Sequence, residues 1–152
     1  YKRQPVQGHI GLTPQTASAL GGFKMQGRDA AAANQIIDDA KALEDAGVFS
    51  MILEAVPAPL GKLVAEAVKV PVIGIGAGPD VDGQVLVTHD MVGLFDKFVP
   101  KFVKQYTRIR PIILEALGEY KKEVQEGVFP GPEHSFKMPA EALTQLKKMI
   151  EK

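Results

Sequence analysis

PVIGIGAGPDVDGQVLVTHDMVG, residues 71–93, decides how the rest of this chain is read. A short β-branched run at 72–75 ends in three alternating glycines, Gly74, Gly76 and Gly78. A second apolar run, 84–88, follows at once and ends in His89 and Asp90. Such a layout suits a buried parallel strand whose C-terminal end lets a ligand or a loop approach the backbone. The C-terminal ends of parallel strands are where α/β enzymes usually keep their chemistry.

Working outward from that stretch, strand and helix signals alternate. Residues 48–53 form an uninterrupted apolar strand candidate that ends in Glu54, and residues 6–12 form a shorter one broken by Gly8 and Gly11. Residues 13–28 read as a loop punctuated by Gly21, Gly22 and Gly27. Asp29 is placed to cap a helix over 30–46, whose apolar stripe is Ile36, Ile37, Ala40 and Leu43 and which Gly47 stops. Pro57 and Pro59 precede a helix with Leu60, Leu63, Val64 and Ala67 at helical spacing. Continuous apolar strands alternating with helices predict a parallel sheet covered on both faces.

From Pro100 onward the pattern is helical throughout: Phe102 and Tyr106 first, then a helix opened by Pro111 that carries Ile112, Ile113, Ala116, Leu117, Tyr120 and Val124. GVFPGP, residues 127–132, is a turn-rich linker, and Pro139 opens a last amphipathic helix with Leu143, Leu146, Met149 and Ile150. The organisation expected is strands with their helices over residues 1–93 and C-terminal helices packing on them over 94–152. A full (β/α)8 barrel needs about 250 residues. Four strand candidates in 152 residues therefore make either a small open sheet or half a barrel.

Composition narrows the function classes. Lys+Arg and Asp+Glu both number 18, a balance that gives no footprint for nucleic acid or an anionic membrane. No apolar run approaches the roughly 18–20 residues of a membrane span. The absence of cysteine excludes disulfides, thiolate catalysis and cysteine-ligated zinc, and a cytoplasmic or organelle-matrix location fits. No secretory signal is visible, and Tyr1 reads as an internal start.

Individual residues then carry the chemistry. Glu54 leaves a dry strand at the mouth of the sheet, a position suited to general acid–base work; a salt bridge or a capping role near Pro57 is the bland alternative. His9, between two glycines, could donate to a substrate carbonyl or carboxylate, or be a core histidine held by a backbone carbonyl. The run G-x-G-x-G-P is not the dinucleotide fingerprint, and no phosphate-loop GK[ST] exists, so the glycines are expected to serve tight strand-end geometry, with contact to a small anion as the secondary reading. His89 and Asp90, as neighbours on a strand, point to opposite faces and are poor joint metal ligands; Asp90 is expected to cap the next turn. Asp80 and Asp82 read as turn residues, and His134 as a surface or docking residue. Lys101, Lys104, Arg108, Arg110, Lys121 and Lys122 read as a solvated helical face.

Several blocks together resemble one family. They are PVQGHIGLTPQ (5–15), MILEAVP (51–57) and VPVIGIGAG with DGQVLVTHDMVG (70–93), supported by GGFKMQGR (21–28) and FPGPEHSF (129–136). The chain resembles the ketopantoate hydroxymethyltransferase family over residues 5–136. The resemblance implies the second half, strands five to eight plus C-terminal helices, of a (β/α)8 TIM barrel of the phosphoenolpyruvate/pyruvate superfamily, assembled as a homodecamer. It implies transfer of a one-carbon unit from 5,10-methylenetetrahydrofolate to 3-methyl-2-oxobutanoate in pantothenate biosynthesis. It makes Glu54 the proton acceptor and puts His9 close to the bound oxo acid. It also implies a Mg²⁺ whose ligands lie in an N-terminal half absent here, so that this chain alone is expected to be inactive. A 2-oxo acid lyase or decarboxylase of the same superfamily, and a non-catalytic half-barrel that serves as an interaction module, are the competing readings.

Overall fold

The computed structural model describes residues 4–16, 18 and 22–151; Tyr1, Gly21 and Lys152, which enter the readings above, lie outside them. Four strands pair in the order β1 (Gln7–Gly11), β2 (Ser50–Glu54), β3 (Val72–Ile75) and β4 (Gly83–Gln84), all parallel. The described residues divide into two compact units, one ending at Thr107 and one beginning at Arg108.

Local chemistry sets the helices of the first unit. The Ala-rich start of α1 (Ala30–Asp45) is a strong helix former. Asp29, in extended conformation before it, accepts a hydrogen bond on Oδ1 from the Ala32 N–H at 2.9 Å. Replacing Asp29 with alanine strands that donor and is expected to lower stability by about 1 kcal/mol, read as a shift of the denaturation midpoint. Helix α2 (Ala58–Ala67) starts with Pro57 as its cap and Pro59 in its first turn, where a missing N–H costs nothing. The Glu44 carboxylate, near the end of α1, accepts from the backbone N–H groups of Lys69 and Val70 and so ties the entry of β3 to α1.

Helices α1 and α2 cover one face of the sheet. Met51, Leu53 and Val72 point into that layer and are fully buried, packed with Ile36 and Ala40 of α1 and Leu60 and Val64 of α2. Leu63, expected in the buried stripe of α2, is 52% exposed. The sheet register puts His9 beside Ile52 and Ile52 beside Ile73, and one layer higher Gly11 beside Glu54 and Glu54 beside Ile75. Helices α1 and α2 pack on the opposite face from this one, and Ile52, Ile73 and Ile75 are only half-buried. A parallel sheet with one dry face, one half-covered apolar face and two open edges is the architecture of a partial (β/α)8 barrel.

Two sequence expectations are corrected. The strand read at 84–88 is only Gly83–Gln84, extended by one bond from Val85 N–H to the Gly74 carbonyl. The Val87 carbonyl instead accepts from Asp90 and Met91, so Thr88–Met91 closes into a short helix, α3. The helix read from Pro100 does not form: residues 94–109 are irregular, Tyr106 N–H bonds to the Met91 carbonyl, and Phe102 packs against Gly76. These longer-range contacts take the place of a local helical ladder.

In the second unit α4 (Arg110–Glu126) starts with Pro111 in its first turn and ends at Gly127, whose φ of 71° allows the left-handed cap. The linker folds back so that Phe129 packs edge-on to Tyr120, with ring centroids 5.5 Å apart, and His134 lies 5.0 Å from Phe129. Helix α5 (Ala140–Ile150) follows Pro139. The apolar stripes of both helices are exposed, with Leu117 at 58% and Met149 at 75%.

Candidate active site

Glu54 is the last residue of β2, and the backbone around it is fixed from both sides. Its carbonyl accepts from the Leu12 N–H at 2.9 Å. The next residue, Ala55, sits at φ 50°, a left-handed conformation uncommon for a residue with a side chain. It is held there by two bonds: Ala55 N–H donates to the Ile75 carbonyl and the Ala55 carbonyl accepts from Gln26 N–H, both at 2.9 Å. The strained turn aims the chain out of the sheet directly after the carboxylate.

The register places His9 and Glu54 on the same sheet face, one layer apart on neighbouring strands. His9 Nε2 lies 3.1 Å from Glu54 Oε2 and 3.0 Å from the Leu12 carbonyl oxygen. The carbonyl can only accept, so Nε2 carries the hydrogen and donates to both oxygens. One carboxylate oxygen is thereby anchored and the other is left for chemistry. The Glu54 side chain is 15% exposed, so it reaches the mouth of the sheet without being flooded by solvent.

A cavity of about 930 Å³ opens at this mouth. It is lined by Glu54, Ala55 and Ile75 from the strand ends, by Phe23, Lys24 and Met25, and by Phe95, Phe98, Lys101 and Phe102. The Phe102 ring rests on Gly76: a Cβ added there would lie 2.6 Å from the ring. The strand-end glycine thus makes room for the protein's own phenylalanine.

The other sequence candidates fall elsewhere. His89 lies on α3 rather than at a strand end and is exposed. Asp90, half-buried on the same short helix, lines the cavity. Asp82 is a turn residue whose Oδ2 accepts from Val72 N–H at 2.8 Å, and Asp80 is exposed. His134 accepts on Nδ1 from Gly131 N–H at 3.3 Å within its own turn. Lys101 leaves the solvated helical face to which it was assigned and joins the cavity wall. Lys24 and Ala55 have no individual role in the sequence reading, and Phe102 reads there only as part of a helix. The only signal for Lys24 and Ala55 is their place in GGFKMQGR and MILEAVP, two of the blocks that carry the resemblance, and Phe102 lies in none of those blocks.

The magnesium ion implied by the resemblance is not accommodated by these residues: among the described residues no three His, Asp or Glu side chains gather to hold an ion. None of the described helices is long and apolar enough to cross a membrane.

The sequence matches the family model described as "Ketopantoate hydroxymethyltransferase" over residues 2–132. The chain belongs to the ketopantoate hydroxymethyltransferase family. Among curated relatives, the 3-methyl-2-oxobutanoate hydroxymethyltransferase of Syntrophobacter fumaroxidans is 58% identical over 134 residues, which are 88% of this chain and 48% of that protein. The protein of the same description from Heliobacterium modesticaldum is 58% identical over 137 residues, 90% of this chain and 50% of the relative. That of Clostridium beijerinckii is 53% identical over 142 residues, 93% and 52%. The chain spans about half the length of the curated relatives it matches. Glu54, His9 and the whole cavity lie inside the stretch that matches the ketopantoate hydroxymethyltransferase family, whereas α5 lies beyond it.

Proposed function

We propose that this chain supplies the general base and the floor of the active site in a hydroxymethyltransferase that builds ketopantoate from 3-methyl-2-oxobutanoate, an early step towards pantothenate. The observation that carries the reading is the His9–Glu54 pair, 3.1 Å apart at the mouth of a parallel sheet, with Glu54 lining a large cavity. The free oxygen of Glu54 takes the proton from C3 of the oxo acid, and the electron pair left behind delocalises towards the adjacent carbonyl. That carbon forms a C–C bond to the methylene carbon carried by 5,10-methylenetetrahydrofolate, and both C–N bonds of the methylene carbon break. Water supplies the hydroxyl oxygen of the product, and the C3 proton and the remaining proton of water end on the nitrogens of the released tetrahydrofolate. His9 keeps the carboxylate in one orientation throughout.

The site is complete only with the other half of the barrel. The half-covered face bearing Ile52, Ile73 and Ile75, and the span of half a relative, support this. We place that half before this chain and assign the magnesium ligands to it; the proton transfer described here is the work of Glu54. The exposed stripes of α4 and α5 suit a homo-oligomer, a decamer by family resemblance.

The test uses a completed barrel, made by placing the preceding half of the Syntrophobacter fumaroxidans relative ahead of this chain. In deuterated water without folate, it is expected to exchange the C3 hydrogen of 3-methyl-2-oxobutanoate. No exchange, in an enzyme that binds the acid, contradicts the assignment. Replacing His9 with alanine is expected to lower kcat about 10–100-fold with a smaller change in KM, because the carboxylate loses its orienting donor and not its basicity. Steady-state kinetics with the oxo acid varied would check it, and an unchanged kcat would remove His9 from the account.

A further inference from the structure

We infer that Asp90 is the second proton carrier of the site: its carboxylate takes a proton from the water that becomes the product's hydroxyl and passes it to a nitrogen that leaves the one-carbon unit. The inference rests on the hydroxymethyl-transfer reading above and adds a residue which that reading leaves unused. Its starting point is a count of protons. A carboxylate that has just taken the proton from C3 cannot take another from water while it holds the first. The bond from His9 also leaves Glu54 only one oxygen for chemistry. Adding water and breaking the C–N bonds therefore calls for another proton carrier.

The lining offers one. Among the described residues two carboxylates line the cavity, Glu54 from the end of β2 and Asp90 from the short helix α3. The other charged residues there are Lys24 and Lys101, whose ammonium groups donate and have no site to accept. Asp90 is half-buried, so water reaches it.

Nothing structural occupies the Asp90 side chain. The turn after α3 is closed by backbone alone: Val92 N–H donates to the Thr88 carbonyl, Gly93 N–H to the Asp90 carbonyl and Leu94 N–H to the His89 carbonyl. The cap expected of Asp90 is thus not made by its side chain. Among the described residues none hydrogen-bonds or pairs with that carboxylate. Its backbone, by contrast, is held. Asp90 N–H donates to the Val87 carbonyl, and the bond from Tyr106 N–H fastens the neighbouring Met91 carbonyl to the segment that carries Phe102. A carboxylate on fixed backbone with no partner of its own is suited to take and return a proton.

The step balances without a further reactant. As the water oxygen bonds to the one-carbon unit, one O–H bond of water breaks and its proton goes to Asp90. A C–N bond of the unit breaks, and Asp90 gives that proton to the nitrogen that keeps the electron pair. The proton that Glu54 took from C3 goes to the other nitrogen.

The experiment compares the completed barrel with its Asp90→Asn variant, using 5,10-methylenetetrahydrofolate and 3-methyl-2-oxobutanoate. Asparagine keeps the shape of the side chain, loses proton transfer and breaks no bond within the described residues. The variant is expected to lose kcat about 100-fold, with KM for the folate donor changed by less than about 3-fold. Folate-free exchange at C3 should stay within about 2-fold of the unmodified enzyme, because it ends before water is used, and this also shows that the fold survives. An unchanged kcat, a loss carried by KM alone, or a fall in exchange equal to the fall in turnover each overturns the role of Asp90. The exchange separates the two levels. Exchange together with an unchanged kcat in Asp90→Asn defeats the proton carrier and leaves the assignment of Glu54 standing. No exchange by the unmodified enzyme, with turnover that still depends on Asp90, defeats that assignment and leaves the proton carrier standing.

Discussion

Glu54→Gln in the completed barrel should lower kcat by about 10²–10⁴-fold, the contribution of a positioned general base. Glutamine has nearly the same shape, and its side-chain oxygen can still accept from His9 Nε2 at the 3.1 Å position. The pair therefore survives and only the proton acceptor is lost. KM for the oxo acid should change little, since the substitution removes an interaction made in the transition state. The folate-free exchange at C3 should fall by the same factor as turnover, because both begin with the same proton. Equal turnover at saturating folate would show that the base lies elsewhere.

The second large effect is structural. Gly11→Ala should destabilise the folded chain by about 3 kcal/mol. Gly11 has φ 81°, which costs an L residue about 1–2 kcal/mol. A Cβ there would also run into the carbonyl oxygen of Glu54 and come within 3.1 Å of Val56 Cγ1. Backbone cannot swing aside as a flexible side chain does, and overpacking of this kind costs about 1–3 kcal/mol more. The displaced carbonyl is the one that accepts from Leu12 N–H, and the Leu12 carbonyl in turn holds His9. Loss of stability should therefore come with loss of the His9–Glu54 geometry. A denaturation midpoint equal to that of the unsubstituted protein would refute the close approach.

Much of the fold can be read from local residue chemistry. Asp29 as a cap, Gly47 as a stop, Pro57 and Pro59 before α2, and the apolar run into Glu54 all act within a few residues of themselves. What could not be read depends on pairing at a distance. Phe102 and Tyr106 have helical spacing, yet the Phe102 ring finds Gly76 and the Tyr106 N–H finds Met91. Thr88 ends a run with strand character, but the Val87 carbonyl closes a turn on Asp90 and Met91. At the site, position alone marked Glu54, whereas its bond to His9 depends on the β1–β2 register. The cavity walls come from residues 23–25 and 95–102, two irregular segments with no periodicity to announce them.

The central claim is that this chain carries the base of a barrel whose other half supplies the rest. The direct test adds the separately expressed preceding half of the Syntrophobacter fumaroxidans relative to this chain, with magnesium, 3-methyl-2-oxobutanoate in deuterated water, and no folate. Proton NMR then follows the C3 hydrogen. The account predicts its loss with both halves present, no loss with either half alone, and no loss when the chain carries Glu54→Gln. Exchange by the mixture that is as fast with Glu54→Gln as without it would contradict the account.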